Sequence, residues 1–215
     1  MVRSPTGCAR EATRKSLPFS TIRRVFTGVN PQGCDVSGFK APSHDELDHD
    51  YLWRVHARCP RRGEIGIWNR SHYEDVVTVW VRGLIDDRHR QRRFGQVRNF
   101  EELLHDEGTM QLKVFLHISR DEQRKRLQKR LDDPEKRWKF DPSDLEARVQ
   151  WDNYQAAYEE AITATSTEHA PWYVVPADSK WVRDVAVARL LVAALREMHP
   201  QIPPPLPALD GIAVD

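Results

Sequence analysis

A run of polar and ionisable side chains follows directly on an apolar segment in GEIGIWNRSHYEDVV, residues 63–77. Ile65 and Ile67 alternate with other residues and predict a short buried strand, after which the chain turns polar from 69 to 75. Within that run, Arg70 offers a planar guanidinium that can bind a phosphate through two hydrogen bonds. An ordinary solvated loop after a strand would have the same local pattern, and the residues alone leave both interpretations open.

A second concentration of charge lies between Arg120 and Lys139, where nine Lys or Arg residues occur. Asp132, Asp133 and Pro134 interrupt the predicted helix in this segment. Such a segment is typical of a solvated helical face, although the same charges could bind a polyanion.

Composition limits the classes of protein that this chain can belong to. Its 215 residues fit one domain, and 33 basic against 32 acidic residues leave no surplus charge for nucleic acid or a membrane surface. The cysteines at 8, 34 and 59 are odd in number and form no C-x-x-C pair, which argues against a disulfide framework or a zinc site. Without an N-terminal apolar segment or a run of about 18 apolar residues, we expect a soluble cytoplasmic protein.

Helix signals are frequent. Three S-x-x-E capping boxes predict helix starts at Ser43, Ser119 and Ser143. An apolar stripe predicts one continuous helix from the first box to Pro60, with Leu47, Tyr51, Val55 and Cys59 on one face. We expect Asn99 to cap a short helix that Gly108 ends in the left-handed conformation, and a last helix over about 180–198.

Short apolar segments between these helices predict strands at 35–40, 64–68, 112–118 and 172–177. Alternating strands and helices predict an α/β fold with a mostly parallel sheet, whose ligands bind at the carboxyl ends of the strands. The polar run after Trp68 would lie at such an end.

The sequence resembles the family-2 polyphosphate kinases, P-loop enzymes that move phosphoryl groups between polyphosphate and nucleotides. The matching blocks begin with TIRRVFTGVNPQGCDVSGFKAPSHDELDHDYLWRVH and GEIGIWNRSHYEDVV, continue with LKVFLHISRDEQRKRLQKRLDDPEKRWKF, and end with WDNYQAAYEEAI and STEHAPWYVVPADSKWVRDVAVAR. The resemblance implies a P-loop-kinase-like parallel sheet flanked by helices in a domain at 21–200, with a helical lid at about 120–142. We expect residues 1–20 to be an atypical, disordered N-terminus and 201–215 to be a proline-rich tail.

The resemblance also implies roles for particular residues. Arg70 would neutralise phosphate, and Asn69 would hold Mg²⁺ through a bound water; these two are the catalytic candidates. His72 ranks below Arg70. The candidates for substrate binding are Lys40, Tyr73, Asp75, Arg126, Arg130, Lys136, Arg137 and Lys139.

The implied activity is Mg²⁺-dependent phosphoryl transfer between inorganic polyphosphate and AMP or ADP, or GDP. The N-R-S-H-Y-E-D form resembles the branch that accepts nucleoside mono- and diphosphates. Relatives commonly assemble, so the resemblance also implies a homo-oligomer.

The chain departs from the family immediately before Thr21, where the family carries its first strand and a G-x-D-x-x-G-K-D-G loop. Residues 1–20 contain neither. Because that strand is central in P-loop kinases, we expect two half-sheets and a weakly active or inactive chain. The alternatives are a non-catalytic remnant or oligomer subunit that binds polyphosphate or nucleotide and, less favoured without a basic surplus, a nucleic-acid-binding module.

Overall fold

The computed structural model describes residues 17–39 and 42–201. The predictions for Lys40, for residues 1–16 and for the tail at 202–215 lie outside these ranges. The elements follow in the order α1 (Leu17–Val25), β1 (Cys34–Gly38), α2 (His44–Leu47), α3 (Trp53–His56), β2 (Ile65–Asn69), α4 (Val77–Val81), α5 (Asp87–Asp106), β3 (Lys113–His117), α6 (Arg120–Asp132), α7 (Ser143–Val149), α8 (Trp151–Thr165), β4 (Trp172–Pro176) and α9 (Lys180–Met198).

The strands form two separate parallel pairs. In the first, β1 pairs with β2 in a register that places Gly38 opposite Asn69. In the second, β3 pairs with β4, and His117 lies opposite Pro176. Within the described residues no strand joins the two pairs. The predicted α/β class with parallel strands is therefore confirmed, each strand lies within two residues of its predicted bounds, and the sheet consists of two halves.

Helices connect the two half-sheets. The main apolar cluster joins Phe94 and Val97 of α5 to Ala157 and Ala161 of α8, and Trp172 of β4 packs against it. The segment that follows β2 also contributes to this cluster, through Tyr73, Val76 and Val77. In addition, α1 contacts β2 and α9, and α9 contacts β4. Side-chain packing thus holds together two half-sheets that no described strand connects.

The helix predicted from Ser43 to Pro60 is wrong as a single element. The capping box at Ser43 is complete, with Oγ accepting from the Glu46 amide and the Glu46 carboxylate accepting from the Ser43 amide. However, α2 ends at Leu47 and α3 begins at Trp53. Between them, the Asp50 carboxylate accepts a hydrogen bond from the Leu52 amide (2.9 Å), which starts a new turn. Val55 is buried while Leu47 is exposed, so the predicted stripe faces two environments.

Asn99 does not cap a helix, because it lies inside α5, a continuous helix of 20 residues. The cap is Asp86, whose carboxylate accepts from the His89 amide (2.7 Å). The predicted left-handed stop is confirmed at Gly108, with φ +84°.

Two further helix starts differ from the predicted capping boxes. Ser119 caps α6 by accepting from the Glu122 amide, but the Glu122 carboxylate accepts from Arg126 instead of closing the box. Ser143 is the first residue of α7, and the side chain of Asp141 accepts from its amide. The last predicted helix is confirmed as α9, and α1 begins at Leu17, four residues before the predicted domain boundary. Among the described helices, none is long and apolar enough to cross a bilayer.

We predict that Phe94→Ala lowers the free energy of unfolding by about 3–5 kcal/mol, because it empties a position that is 2% exposed where α5 packs between the half-sheets. Leu103→Ala on the same helix is the control, since Leu103 is exposed and should change stability by about 0.5 kcal/mol or less. Urea unfolding measures both. Equal effects of the two substitutions would contradict a core role for Phe94.

Candidate active site

Arg70 lies immediately after β2 in a backbone conformation that is rare for its residue type. Its φ is +65°, in the left-handed region that favours glycine. A non-glycine residue held there costs about 1–3 kcal/mol, and such residues cluster at functional sites. The side chain is half exposed, and its Nη1 lies 3.8 Å from Oε2 of Glu74. The chain therefore tolerates backbone strain while it presents a guanidinium at the carboxyl end of a parallel strand.

The residues after Arg70 form a 3₁₀ turn, His72–Asp75, which side chains of neighbouring elements hold in place. Ser71 caps the turn by accepting from the Tyr73 amide. At its end, Asp75 is buried and accepts from Nη2 of Arg54 (2.7 Å), while Arg93 donates to the backbone carbonyl of Asp75. This ion pair ties the turn to α3.

His72 and Tyr73 point into the interior. They are 3% and 4% exposed, and both contact the carboxylate of Glu101, at 3.2 Å and 2.9 Å respectively. Tyr73 and Asp75, which we predicted to bind substrate, are both buried and contacted by side chains of α5 and α3 in this conformation. Their place in the fold is that of supports for the Arg70 turn.

Arg130 of α6 pairs with an aspartate of α7 whose pKa the charge of Arg70 also affects. Asp144 of α7 forms an ion pair with Arg130, whose Nη1 lies 3.3 Å from Oδ2 of Asp144. Burial raises the pKa of Asp144 above its ordinary value, while the positive charges of Arg130 and Arg70 act in the opposite direction. Each of the two candidate arginines therefore has a carboxylate beside it, Glu74 at 3.8 Å from Arg70 and Asp144 at 3.3 Å from Arg130.

Arg126, in the middle of α6, contacts its own helix and the loop between β4 and α9. It donates through Nε to Glu122 (2.6 Å) and through Nη2 to the carbonyls of Ala177 and Asp178. The Asp178 carboxylate in turn accepts from the Ser119 amide (2.8 Å), and this hydrogen bond lowers the pKa of Asp178. These contacts fasten the start of α6 to the loop between β4 and α9. Arg126 is only 11% exposed in its side chain, so in this conformation it holds the helix in place.

The remaining lid candidates lie after α6. Lys136 pairs with Asp133, which raises the pKa of Lys136, and Nε of Arg137 donates to the carbonyl of Leu131 (3.0 Å). Trp138 is half exposed and donates to the Glu135 carbonyl. Lys139 ends a short 3₁₀ turn, and its side chain lies outside the described part of the structure.

Three bases that the sequence analysis counted but did not select line an open depression of about 510 Å³ on α6. They are Arg124, Lys125 and Lys129, and all three are exposed. Asp132 and Asp133 close one end of the depression. This surface offers accessible positive charge of the kind that binds a polyanion.

A smaller depression of about 270 Å³ lies beside β1. Its charged lining consists of Asp35, Glu46, Arg54 and Arg58, and Ser37 donates to Asp35 (3.0 Å). It adjoins the end of β1, the strand that pairs with β2, so it lies near the same sheet edge as Arg70. Lys40, the candidate expected here, lies outside the described residues.

No three His, Cys, Asp or Glu side chains gather into a metal cage within residues 17–39 and 42–201. Mg²⁺ rarely needs such a cage, because it keeps several waters and is bound largely by one or two protein ligands and substrate phosphates. Asn69, the candidate for contact with a metal-bound water, is the last residue of β2, at the carboxyl end of the strand. A single amide oxygen at this position would suit an Mg²⁺ ion that arrives bound to substrate phosphates.

Sequence reasoning missed a buried polar cluster beneath the Arg70 turn. Glu101 of α5 and Lys113 of β3 form an ion pair at 2.6 Å, and Thr165 of α8 completes the cluster. Lys113 interrupts an otherwise apolar strand in LKVFLHI, and a charged residue in a buried strand is a signal of a paired charge. Asp144 gave no comparable signal, because its ion pair with Arg130 joins two helices and cannot be read from the sequence.

The family model for Polyphosphate kinase 2 (PPK2) matches residues 10–203 of the chain. The AMP/ADP-polyphosphate phosphotransferase of Meiothermus ruber is 55% identical over 195 residues, which cover 91% of this chain and 73% of that protein. The ADP-polyphosphate phosphotransferase of Rhodopseudomonas palustris is 44% identical over 87% of this chain and 69% of its own length.

Solved structures give the same result. The crystal structure of Polyphosphate Kinase 2 from Arthrobacter aurescens TC1 superimposes with a TM-score of 0.82 at 43% identity, covering 87% of this chain and 68% of that one. The fold, the sequence match along nearly the whole chain and the structural likeness agree. The chain belongs to the polyphosphate kinase 2 family, whose members are polyphosphate-dependent nucleotide kinases.

Proposed function

We propose that this chain carries the phosphate-handling part of a polyphosphate:nucleotide phosphotransferase, which transfers a phosphoryl group between inorganic polyphosphate and AMP or ADP, or GDP. The observation that carries the proposal is Arg70 itself, held at φ +65° at the carboxyl end of β2 with a half-exposed guanidinium. Phosphoryl transfer requires little covalent chemistry and depends on positive charge placed around the phosphate oxygens. The printed names of the M. ruber and R. palustris relatives support polyphosphate and adenine nucleotides as substrates.

The division of roles follows from position and exposure. Arg70, half exposed at the end of β2, would bind the transferring phosphate through its planar fork. Arg130 and the bases after α6 would neutralise the neighbouring phosphates, and Arg124, Lys125 and Lys129 would attract the chain of the polymer. Tyr73, Asp75 and Arg126 would hold these groups in place, through the buried contacts described above.

Mg²⁺ supplies charge neutralisation on the phosphates when it is bound with substrate. Asn69 would contact one of its waters. We also propose that the protein acts in the cytoplasm and as a homo-oligomer, an expectation that comes from the family resemblance.

We further propose that the chain as written is weakly active or inactive. The printed sequence contains no G-x-x-x-x-G-K, so the backbone amides and the lysine that cradle phosphates in P-loop enzymes have no counterpart in it. Positive charge without that positioning binds substrate and transition state alike, which does not raise turnover. The second candidate is accordingly a non-catalytic protein or oligomer subunit that binds polyphosphate or nucleotide, and the retained bases favour it.

A comparison of two versions of the chain tests catalytic competence. With polyphosphate, Mg²⁺ and ADP or AMP, we expect little turnover from the unmodified chain. An apolar strand and a G-x-D-x-x-G-K-D-G loop added ahead of Thr21 should raise turnover by about 100-fold or more. The same addition with alanine in place of the loop lysine is the control. Robust Mg²⁺-dependent ATP formation by the unmodified chain would refute the inactivity, and polyphosphate binding without turnover in the strand-extended version would favour the second candidate.

Two substitutions at Arg70 separate its backbone from its side chain. Arg70→Lys keeps the charge but loses the fork, so we expect turnover of the strand-extended version to fall about 10-fold or more at saturating polyphosphate. Arg70→Gly relieves the positive φ, so the free energy of unfolding should stay constant or rise by up to about 1 kcal/mol while phosphate binding falls. Arg62→Lys, at a side chain that is 89% exposed, is the control. Unchanged turnover in Arg70→Lys would remove Arg70 from the phosphate site.

Two triple variants with the same change of charge test the basic segment. Arg124→Gln/Lys125→Gln/Lys129→Gln removes exposed bases, and Arg126→Gln/Arg130→Gln/Lys136→Gln removes bases that have internal partners. We expect both to weaken polyphosphate binding and to flatten its salt dependence, since attraction to a polyanion is screened over about 8–10 Å in ordinary salt. Only the second should also lower Tm, because Arg126 fastens α6 to the β4–α9 loop. An unaltered salt dependence in both would assign the segment to an ordinary solvated helix.

A further inference from the structure

The buried cluster beneath the Arg70 turn has a complete set of hydrogen bonds around one lysine. Lys113 Nζ donates to Glu101 Oε2 (2.6 Å), to the Thr165 carbonyl (2.8 Å) and to the Tyr73 hydroxyl (3.1 Å). An ammonium has three protons, so each has an acceptor. The side chains of Glu101 and Lys113 are 0% and 9% exposed. Burial lowers the pKa of Lys113, and the charge of Glu101 opposes that shift.

The other carboxylate oxygen of Glu101 holds the turn itself. Oε1 lies 3.2 Å from Nε2 of His72 and 2.9 Å from the Tyr73 hydroxyl, whose one proton it shares with Oγ1 of Thr165 at 2.8 Å. Burial and the neighbouring Glu101 charge raise the pKa of Tyr73, so the hydroxyl keeps its proton and remains a donor. Nδ1 of His72 is buried without a hydrogen-bond partner, so Nε2 makes the hydrogen bond that orients this ring. Two consecutive side chains of the turn thus end on one carboxylate oxygen.

The cluster also spans the two half-sheets. Its Tyr73 and His72 follow β2, whereas Lys113 is the first residue of β3. Thr165 ends α8, and its Oγ1 accepts from the indole Nε1 of Trp172, the first residue of β4 (3.0 Å). No described strand joins β2 to β3, so these hydrogen bonds help to set where the turn lies relative to the second half-sheet. That half-sheet leads into α6 and so positions its bases.

We propose that Tyr73, Glu101 and Lys113 are positioning residues that hold the Arg70 turn at a fixed distance from α6. The proposal rests on the phosphate-binding function proposed above. Arg70 lies three residues before Tyr73 in a strained conformation, which persists only where the surrounding structure determines it. Stability alone would not select this arrangement, because a buried ion pair can often be replaced by apolar residues without loss. Instead, the Glu101–Lys113 pair and Tyr73 fix the position of the turn from which the Arg70 guanidinium projects.

Tyr73→Phe in the full chain tests the proposal, since it removes only the hydroxyl that joins the turn to Glu101, Lys113 and Thr165. We expect faster amide exchange in a peptide covering residues 69–76, measured by mass spectrometry, with little change in peptides from α9. Binding of inorganic tripolyphosphate should weaken about 3- to 10-fold, as expected for one lost hydrogen bond. Tyr173→Phe, at a more exposed tyrosine in β4, is the matched control and should change neither quantity.

A second variant covers the case in which the buried cluster tolerates no single change. Glu101→Leu/Lys113→Met replaces the ion pair with apolar side chains, and it should fold with a Tm close to that of the unmodified chain while the turn exchanges faster and tripolyphosphate binds more weakly. Glu102→Leu, at the adjacent exposed position on α5, is its control.

The outcomes separate the two proposals. Unchanged amide exchange at residues 69–76 in both variants would refute the proposal that the buried cluster holds the turn. Faster amide exchange with unaltered tripolyphosphate affinity would show that the cluster holds the turn but does not position Arg70 for phosphate binding. Failure of the unmodified chain to bind tripolyphosphate would overturn the proposed function itself, whatever the variants show.

Discussion

The two parallel half-sheets share no backbone hydrogen bond in the described part of the chain, and the rest of the structure depends on how they are nevertheless held together. Apolar packing of α5 and α8 provides the bulk of the contact, but such packing is non-directional. The Lys113–Glu101 ion pair adds direction, because each of its charged atoms has a defined partner on another element. Removal of one member of such a pair commonly costs about 3–5 kcal/mol, since the other charge remains buried and unpaired.

Because the two half-sheets are separate, the positive charges of the candidate site fall into two groups. Arg70 is carried by the first half-sheet and supported from below through Tyr73 and Asp75. The basic helix α6 is carried by the second half-sheet and fastened by Arg126 to the β4–α9 loop. Each group of positive charges is therefore attached to its own pair of strands by contacts of the neighbouring backbone and side chains. The side chains between the two half-sheets therefore set the position of Arg70 relative to the bases of α6. Stabilisation of a transition state by charge depends on such fixed positions.

Local sequence rules predicted most of the secondary structure, because strand ends, caps and the Gly108 stop depend on neighbouring residues. They failed at Asp50 and at Asn99, for opposite reasons. The Asp50 carboxylate hydrogen-bonds to the nearby backbone and breaks a helix that the apolar spacing favoured. At Asn99, packing of α5 against α8 outweighs the capping preference of a single side chain.

The site was predictable only in part. The run from Asn69 to Asp75 correctly indicated a turn at the carboxyl end of a parallel strand. It did not show that His72, Tyr73 and Asp75 turn inward while Arg70 stays half exposed, because the direction of each side chain depends on partners such as Glu101 and Arg54. Charge counting likewise could not separate Arg126, which is engaged by backbone carbonyls, from Lys125 and Lys129, which are exposed.

Each of the two candidate arginines already has a carboxylate counterion in the free protein. Asp144 pairs with Arg130 at 3.3 Å, and Glu74 lies 3.8 Å from Arg70. An incoming phosphate would therefore enter by anion exchange, in which one negative group takes over the contacts of another. The net gain from charge is smaller in an exchange than in binding to a bare cationic site. In return, release of the product would leave the arginines already neutralised, so that departure is not opposed by the full attraction of two unpaired charges.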